Sequence, residues 1–270
     1  MVVKITKEGL LSNGLHHYYM EFLKTGVDFH GNLWYNRYVF VENFIKHLVL
    51  EVKPMFTSEL YHSVNLSSVY DLIRQFCIKV ENLEFVYVMD VLRVEHFNTF
   101  VHSVNVAIYS LLMGIKMNLS PCYLDCLFVG ACLHDIGKLC IPKTILDSPN
   151  KLTKSQFDTI KQHPELGIRL LRGTSLLNSI THELVLGHHE KLNGMGYPRR
   201  LSVDSISNLT RIVTVADIFD AVITERSYHS RQSSLKGFLV LKDCVNRGEI
   251  CKDCVLLLYE LVKVNEALTG

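Results

Sequence analysis

Several things are scarce in this sequence, and each scarcity removes a class of function. Long hydrophobic runs are missing: the longest apolar stretches, such as "LFVGACL" and "VLLLY", fall far short of the roughly 20 residues a membrane helix needs. An excess of charge is missing too. With 28 Lys+Arg against 27 Asp+Glu and a formal net charge of +1, no general field draws the chain to nucleic acid or to anionic lipid. An anion would have to be bound by a local cluster. The opening "MVVKITKEGLLSNGLHHYYM" has no uninterrupted apolar core of the secretory kind, so a soluble cytoplasmic protein is expected. Paired cysteines are also wanting. Cys77, Cys122, Cys126, Cys132, Cys140, Cys244, Cys251 and Cys254 are scattered, mostly in apolar runs, where a thiol acts as a small hydrophobe. "CKDC" at 251–254 has half of a zinc-site spacing but no second pair at a suitable distance. Alternating, strand-like runs are few, and there is no internal repeat or low-complexity tract.

What is present is apolar periodicity of the helical kind, in a chain of 270 residues that is 48% hydrophobic and long enough to bury a core. A stretch from about 98 to 117 puts Val101, Val104, Ala107, Ile108, Leu111, Leu112 and Ile115 on one face. Another, from about 123 to 135, is apolar almost all round, the pattern of a central helix. Thr153-Lys154-Ser155-Gln156 reads as a capping box that starts a helix. Residues 207–225 form a long apolar segment broken by Asp217 and Asp220, and a last helix is expected over about 251–266. Gly, Pro and Asn mark loops at 147–151 and 193–200. The expectation is an all-α protein with an N-terminal helical region, 1–90, and a chemistry-bearing region, 91–270. Tyr18, Tyr19, Phe22, Trp34, Tyr35 and Tyr38 in the first part are read as core aromatics.

Thirteen histidines is a high count, and their settings carry information. Polar residues interrupt apolar helices at His102 ("FVHSVNVAIY"), His134-Asp135 ("ACLHDIGKLC"), His163 ("IKQHPELG"), His188-His189-Glu190 ("VLGHHEK") and Asp217 ("VADIFDAV"). Singly, each has an ordinary explanation: a hydrogen-bonded core histidine, an ion-paired aspartate, a helix-ending imidazole. Together, five imidazoles and two carboxylates in apolar settings need partners, and divalent metal supplies one to all of them. Seven ligands are too many for one ion with an open position, but suit two ions sharing a carboxylate. Adjacent helical residues point about 100° apart, so His134 could face one ion while Asp135 bridges both.

The ordered segments "H" (102), "HDIGK" (134–138), "IP" (141–142), "KLT" (151–153), "HP" (163–164), "HHE" (188–190), "GYP" (196–198) and "ADIFDA" (216–221) resemble the HD-GYP family over about 95–265. These are bacterial phosphodiesterases of the HD superfamily that cleave cyclic di-GMP. The resemblance implies an HD-type helical bundle. It assigns His102, His134, Asp135 and Asp217 to one metal, and His163, His188 and His189, with Asp135 bridging, to a second. It also implies that Lys138 and Arg226 contact substrate phosphate, and that Gly196, Tyr197 and Pro198, with Asn193 before them, line the site. The same loop is a candidate contact for diguanylate cyclase-type partners, and a homodimer is left open. Three positions depart from the family. Asn98 stands where some members have a Glu that helps hold a third metal, Asn193-Gly194 replaces the usual "DG", and His229 replaces a common basic residue.

The activity so implied is hydrolysis of cyclic di-GMP to pGpG, GMP or both. Two divalent ions, iron or manganese, would hold a bridging hydroxide that attacks phosphorus, with Asp135 and Lys138 as the catalytic side chains. Three other readings stay open at this point: hydrolysis of cyclic GMP-AMP, oxygen activation by a di-iron site of the inositol oxygenase kind, and a receptor that binds the dinucleotide without cutting it. Loss of part of the HD or HH pairs would mark such a receptor, and all seven ligands are present here.

Overall fold

A computed structural model describes residues 83–224 and 233–266, together with 12, 15–17, 19 and 20 of the N-terminal stretch. Its regular elements are helices, and among the described residues there is no strand. In chain order they are α1 (Leu83–Glu95), α2 (Phe97–Lys116), α3 (Pro121–Leu133), α4 (Lys143–Leu146), α5 (Lys154–Ile160), α6 (His163–Leu171), α7 (Ser179–Gly187), α8 (Asn208–Ile223), α9 (Ser234–Asn246) and α10 (Lys252–Glu266). Short 3-10 turns at Ile136–Cys140 and Val203–Ser205 join them. The all-α expectation holds. None of the described helices is long and apolar enough to cross a membrane.

Helix α2 is the axis of the bundle. Every residue from Phe100 to Gly114 is buried, because α1, α3, α8 and α10 cover it from different sides. The aromatic side chains Phe85, Phe100 and Phe219 are almost fully enclosed in this core, each worth about 1.5–3 kcal/mol of transfer free energy on the usual scale. Residue 90, the expected boundary, falls inside α1, whose Phe85–Met89 share the core with α2. Leu15 is buried in the same core, and the Tyr19 ring lies 5.7 Å from that of Tyr87. Tyr18, Phe22, Trp34, Tyr35 and Tyr38 lie outside the described residues, as does Cys77. Cys132, Cys140, Cys244 and Cys254 are buried, as their apolar settings suggest.

Helix ends follow local chemistry. Thr153 caps α5 in a reciprocal box with Gln156, and Asn178, Ser207 and Ser233 accept backbone N–H groups at the starts of α7, α8 and α9. One boundary differs from expectation: α3 stops at Leu133 instead of running to 135, with His134 as its C-cap. The reason lies just beyond. A Cβ on Gly137 would come within 1.9 Å of the His163 carbonyl oxygen, so the "HDIGK" turn packs directly on the start of α6, which a continuing helix could not do.

That close approach sets the spacing between Asp135 and His163. Gly137→Ala should therefore destabilise the protein by about 1–3 kcal/mol, the usual cost of overpacking, and lower its metal content in parallel. Urea denaturation and elemental analysis of the purified variant check both effects.

Candidate metal centre

The centre is built largely at helix ends. His134 closes α3, His188 closes α7, and His163 opens α6 just after α5. In each case the ring turns back and Nδ1 donates to a carbonyl three residues earlier: Ala131 at 2.7 Å, Ile160 at 2.7 Å and Val185 at 3.0 Å. A carbonyl can only accept, so these bonds put the proton on Nδ1 and leave a lone pair on Nε2. His102, in the middle of α2, is held differently. Its Nδ1 meets Asp220 Oδ2 of α8 at 2.6 Å, and the other Asp220 oxygen accepts from Asn105 and Thr224.

The Nε2 atoms so oriented converge on two carboxylates. Asp135 Oδ1 lies 3.2 Å from His163 Nε2 and 3.9 Å from His188 Nε2, while its Oδ2 lies 3.4 Å from His134 Nε2 and 3.7 Å from His102 Nε2. Asp217 Oδ1 is 2.9 Å from His102 Nε2, and Asp217 Oδ2 is 3.8 Å from His189 Nδ1. The ligand atoms fall into two groups: His102, His134 and Asp217, and Asp135, His163, His188 and His189. Asp135 thus turns one oxygen to each group. Lys138, one helical turn on, donates to Asp135 Oδ2.

This arrangement fits metal on its own chemistry. His134 Nε2 and Asp135 Oδ1 are buried with no hydrogen-bond partner among the described residues, a costly state for polar atoms. His163 Nε2 and His188 Nε2 face each other at 3.1 Å with both protons committed elsewhere, so two lone pairs oppose each other unless a cation lies between. Protonation agrees. Burial pushes His163 down to about 3, His189 down to about 4, and His188 well below the ordinary imidazole range. Burial opposes ionisation of Asp135 and Asp217, but Lys138 and His134 around the first, and His102 beside the second, hold both well below the carboxylate range. Neutral imidazoles beside ionised carboxylates are the forms that bind metal.

The GYP loop forms one wall. The Tyr197 ring stacks on His189, centroids 4.6 Å apart, and its backbone N–H donates to the His189 carbonyl. Glu190, the acid of "HHE", is buried and accepts from the N–H groups of Arg199 and Leu201, closing the loop from behind. Gly196 lies so close to this segment that a Cβ would sit 2.4 Å from the Lys191 nitrogen. Asn193 is at the exposed base of the loop, where its amide donates to the Arg247 carbonyl and its oxygen accepts from Met195. A cavity of about 620 Å³ opens beside His102 and Lys138, with Asn98, Lys143, Lys151 and Leu152 also on its walls. Arg226 and His229 lie outside the described residues.

The residues singled out by sequence are therefore gathered at one place, apart from Asn193 at the loop's outer base and the undescribed Arg226. Sequence reasoning gave no role to Asp220 or to Glu190. Asp220 had a readable signal: Asp217 and Asp220 on α8 have the same i, i+3 spacing as His102 and Asn105 on α2, so the two polar pairs can face each other. Glu190 had none beyond its place next to His189.

A helical bundle that turns five imidazoles and two carboxylates inward, four of the imidazoles from beside helix ends, carries a candidate metal centre of the HD type. The chain belongs to the HD domain family, whose model matches residues 87–243, and with its "HHE" and "GYP" segments it is of the HD-GYP type. It is 40% identical over 116 residues to a cyclic di-GMP phosphodiesterase of Vibrio cholerae, covering 41% of this chain and 24% of that protein. It is 37% identical over 142 residues to the 3'3'-cGAMP-specific phosphodiesterase 3 of the same organism, covering 53% of this chain and 31% of the other. The chain thus spans less than a third of the length of these relatives. Among solved structures, a HDG"Y"P protein from Bdellovibrio bacteriovorus superposes with a TM-score of 0.55 at 17% identity, covering 94% of this chain and 80% of that one, which is a likeness of fold.

Two outcomes follow from this geometry. Asp220→Asn puts an N–H₂ where only an acceptor fits, and should weaken metal binding about 10–100-fold, as is usual when a partner of a ligating histidine is lost; metal titration with circular dichroism as the folding control measures it. Metal-free protein should lose stability as pH falls. His163 titrates at about 3 when folded against about 6.5 when unfolded, so between these values the unfolded chain takes up the proton and the folded chain does not. Denaturation midpoints of the metal-free form should decline from pH 7 to pH 4.

Proposed function

We propose that this chain is a metal-dependent phosphodiesterase that opens cyclic di-GMP to pGpG and carries the product on to GMP. The observation that carries the reading is Asp135, a buried carboxylate with one oxygen toward each of two imidazole groups and an ammonium at its side. His102, His134 and Asp217 would hold one divalent ion, His163, His188 and His189 a second, and Asp135 would serve both. The absence of cysteine from the set suits iron or manganese. Ions held there supply Lewis-acid charge for phosphoryl oxygens and acidify water enough to attack phosphorus at neutral pH.

The chain's own side chains do the rest. Backbone carbonyls hold the Nδ1 protons of His134, His163 and His188, and Asp220 meets Nδ1 of His102, so Nε2 of each of these four rings already faces the carboxylates. Lys138, tethered to Asp135 at the mouth of the cavity, adds a fixed positive charge where negative charge grows on the phosphoryl oxygens. Burial, with the nearby Asp135 and Asp217, pushes the Tyr197 phenol above its ordinary range, so it remains a hydrogen-bond donor at the wall. The cavity volume lies within the range of small-molecule sites. The tip of the GYP loop presents Met195, 79% exposed, which supports its reading as a contact for partner proteins. The 3'3'-cGAMP-specific relative favours a second reading, in which the mixed dinucleotide is the preferred substrate.

The test is hydrolysis of both dinucleotides by protein loaded anaerobically with Fe(II) or Mn(II), with pGpG and GMP followed by chromatography. Cyclic di-GMP should be cut with the larger kcat/KM. Asp135→Ala should lower turnover by about 10²–10³-fold or more, on the scale of lost transition-state electrostatics, and reduce metal content with it. A variant retaining full metal and full rate would refute the bridging role.

A further inference from the structure

The cations near the site differ in what already engages them. Lys138 is bonded to Asp135, Lys143 pairs with Glu95 at 3.4 Å, and Lys191 pairs with Glu249 at 2.9 Å. Lys161 forms no ion pair among the described residues, and neither does Lys151 on the cavity wall; what sets Lys161 apart is its aromatic setting. Its Nζ lies over two aromatic rings, 4.9 Å from the centroid of Phe157 and 5.5 Å from that of Tyr197. Aromatic faces hold an ammonium in place without neutralising it. The charge therefore stays available to an anion.

Its position ties it to the centre by short, stiff links. Lys161 is the C-cap of α5, and its N–H donates to the Phe157 carbonyl, which sets both side chains on one helical face. The carbonyl of the preceding residue, Ile160, takes the Nδ1 proton of His163. On the other side the Tyr197 ring lies against His189. The ammonium is thus one ring away from a ligand histidine, His189, and the backbone of Lys161 adjoins the carbonyl that orients another, His163. Phe157 is 47% exposed, a large apolar ring left open to solvent at the edge of a polar site. A free cation between an open aromatic face and a half-buried one suits a ligand that joins negative charge to a flat ring, as a nucleotide does.

Resting on the phosphodiesterase reading, we infer that Lys161 binds a phosphate of the cyclic dinucleotide while Phe157 stacks on one of its bases. The binding side chains then come from α5 and the GYP loop together, and they pair with the His163, His188 and His189 side of the centre. The cavity at His102 and Lys138 remains for the rest of the ligand.

The experiment compares the full chain with Lys161→Met, which keeps the apolar stem and drops the charge, Lys161→Arg, which keeps the charge, and Phe157→Leu, which keeps apolar bulk without the flat ring. Steady-state hydrolysis of cyclic di-GMP is measured with Mn(II)-loaded protein, and binding of its non-hydrolysable bisphosphorothioate analogue by calorimetry at several salt concentrations. Lys161→Met should raise both KM and Kd about tenfold, as for loss of one charge-assisted hydrogen bond, with kcat little changed and a shallower dependence on salt. Lys161→Arg should recover most of the affinity, and Phe157→Leu should weaken binding about threefold or more. Metal content and thermal midpoint should match the wild type in all three. Unchanged Kd in Lys161→Met, with wild-type hydrolysis intact, overturns the inference and leaves the phosphodiesterase standing. Loss of metal or of cooperative unfolding in that variant shows a structural lysine and also overturns it. Unchanged Kd in Phe157→Leu removes the stacking half. A wild-type chain that neither binds the analogue nor cuts the substrate removes both readings together.

Discussion

The carboxylate of Asp135 is the group around which the described part of the molecule is arranged. It is buried, ionised, and bonded to a single lysine, with four imidazole nitrogens between 3.2 and 3.9 Å from its two oxygens. Burying one carboxylate costs several kcal/mol unless its charge is met in place. Here the cost is compounded by Asp217 and Asp220 on the neighbouring helix. Local features follow from serving this one group: α3 stops early, a 3-10 turn replaces its last residues, and Gly137 allows α6 to close in. A chain that folded only for packing would have continued α3 and placed an apolar residue at 135.

The histidines show why such a centre forms where helices end. The last carbonyls of a helix have no partner within it. At α3, α5 and α7 imidazole N–H groups meet these carbonyls and so orient the opposite nitrogen inward. The negative end of each helix dipole also points toward the place where cations would collect. Capping, tautomer choice and electrostatic attraction are three consequences of one placement. The mid-helix His102 lacks a spare carbonyl, so it needs a carboxylate from another helix, and Asp220 supplies it.

Much of this was legible before any coordinates. The helices announced themselves by apolar periodicity, the start of α5 by its capping box, and the loops by Gly, Pro and Asn. The polar residues of the centre stood out because each breaks an apolar run, and the fold brings them within reach of one another. What could not be read was the company they keep. Asp220 meets His102 across 118 positions of sequence, Glu190 acts on the N–H groups of a loop whose path is fixed only in three dimensions, and Lys161 acquires its aromatic partners from α5 and the GYP loop at once. Pattern reports which residues must find partners; topology decides which partners they find. Asn193 is a case in point. As a departure from "DG" it looked like a lost charge, yet its amide donates to the Arg247 carbonyl, where an aspartate would set acceptor against acceptor. The α9–α10 turn, with Glu249 bonded to Lys191 and Arg247, holds the loop base.

Charge balance bears on how many ions the proposed centre takes. In formal charge, four buried carboxylates, Asp135, Asp217, Asp220 and Glu190, exceed the one ammonium, Lys138, by three. One divalent ion would leave the centre negative, with nothing to draw in a phosphodiester. Two divalent ions leave a net positive charge, which attracts the anionic substrate and stabilises the charge that builds on phosphorus-bound oxygens. A third would need a further carboxylate near His102. The residue on that wall of the cavity is Asn98, which offers an oxygen but no charge. With Asn98 in that place, a two-ion centre would keep a positive field toward the anion it is proposed to cut.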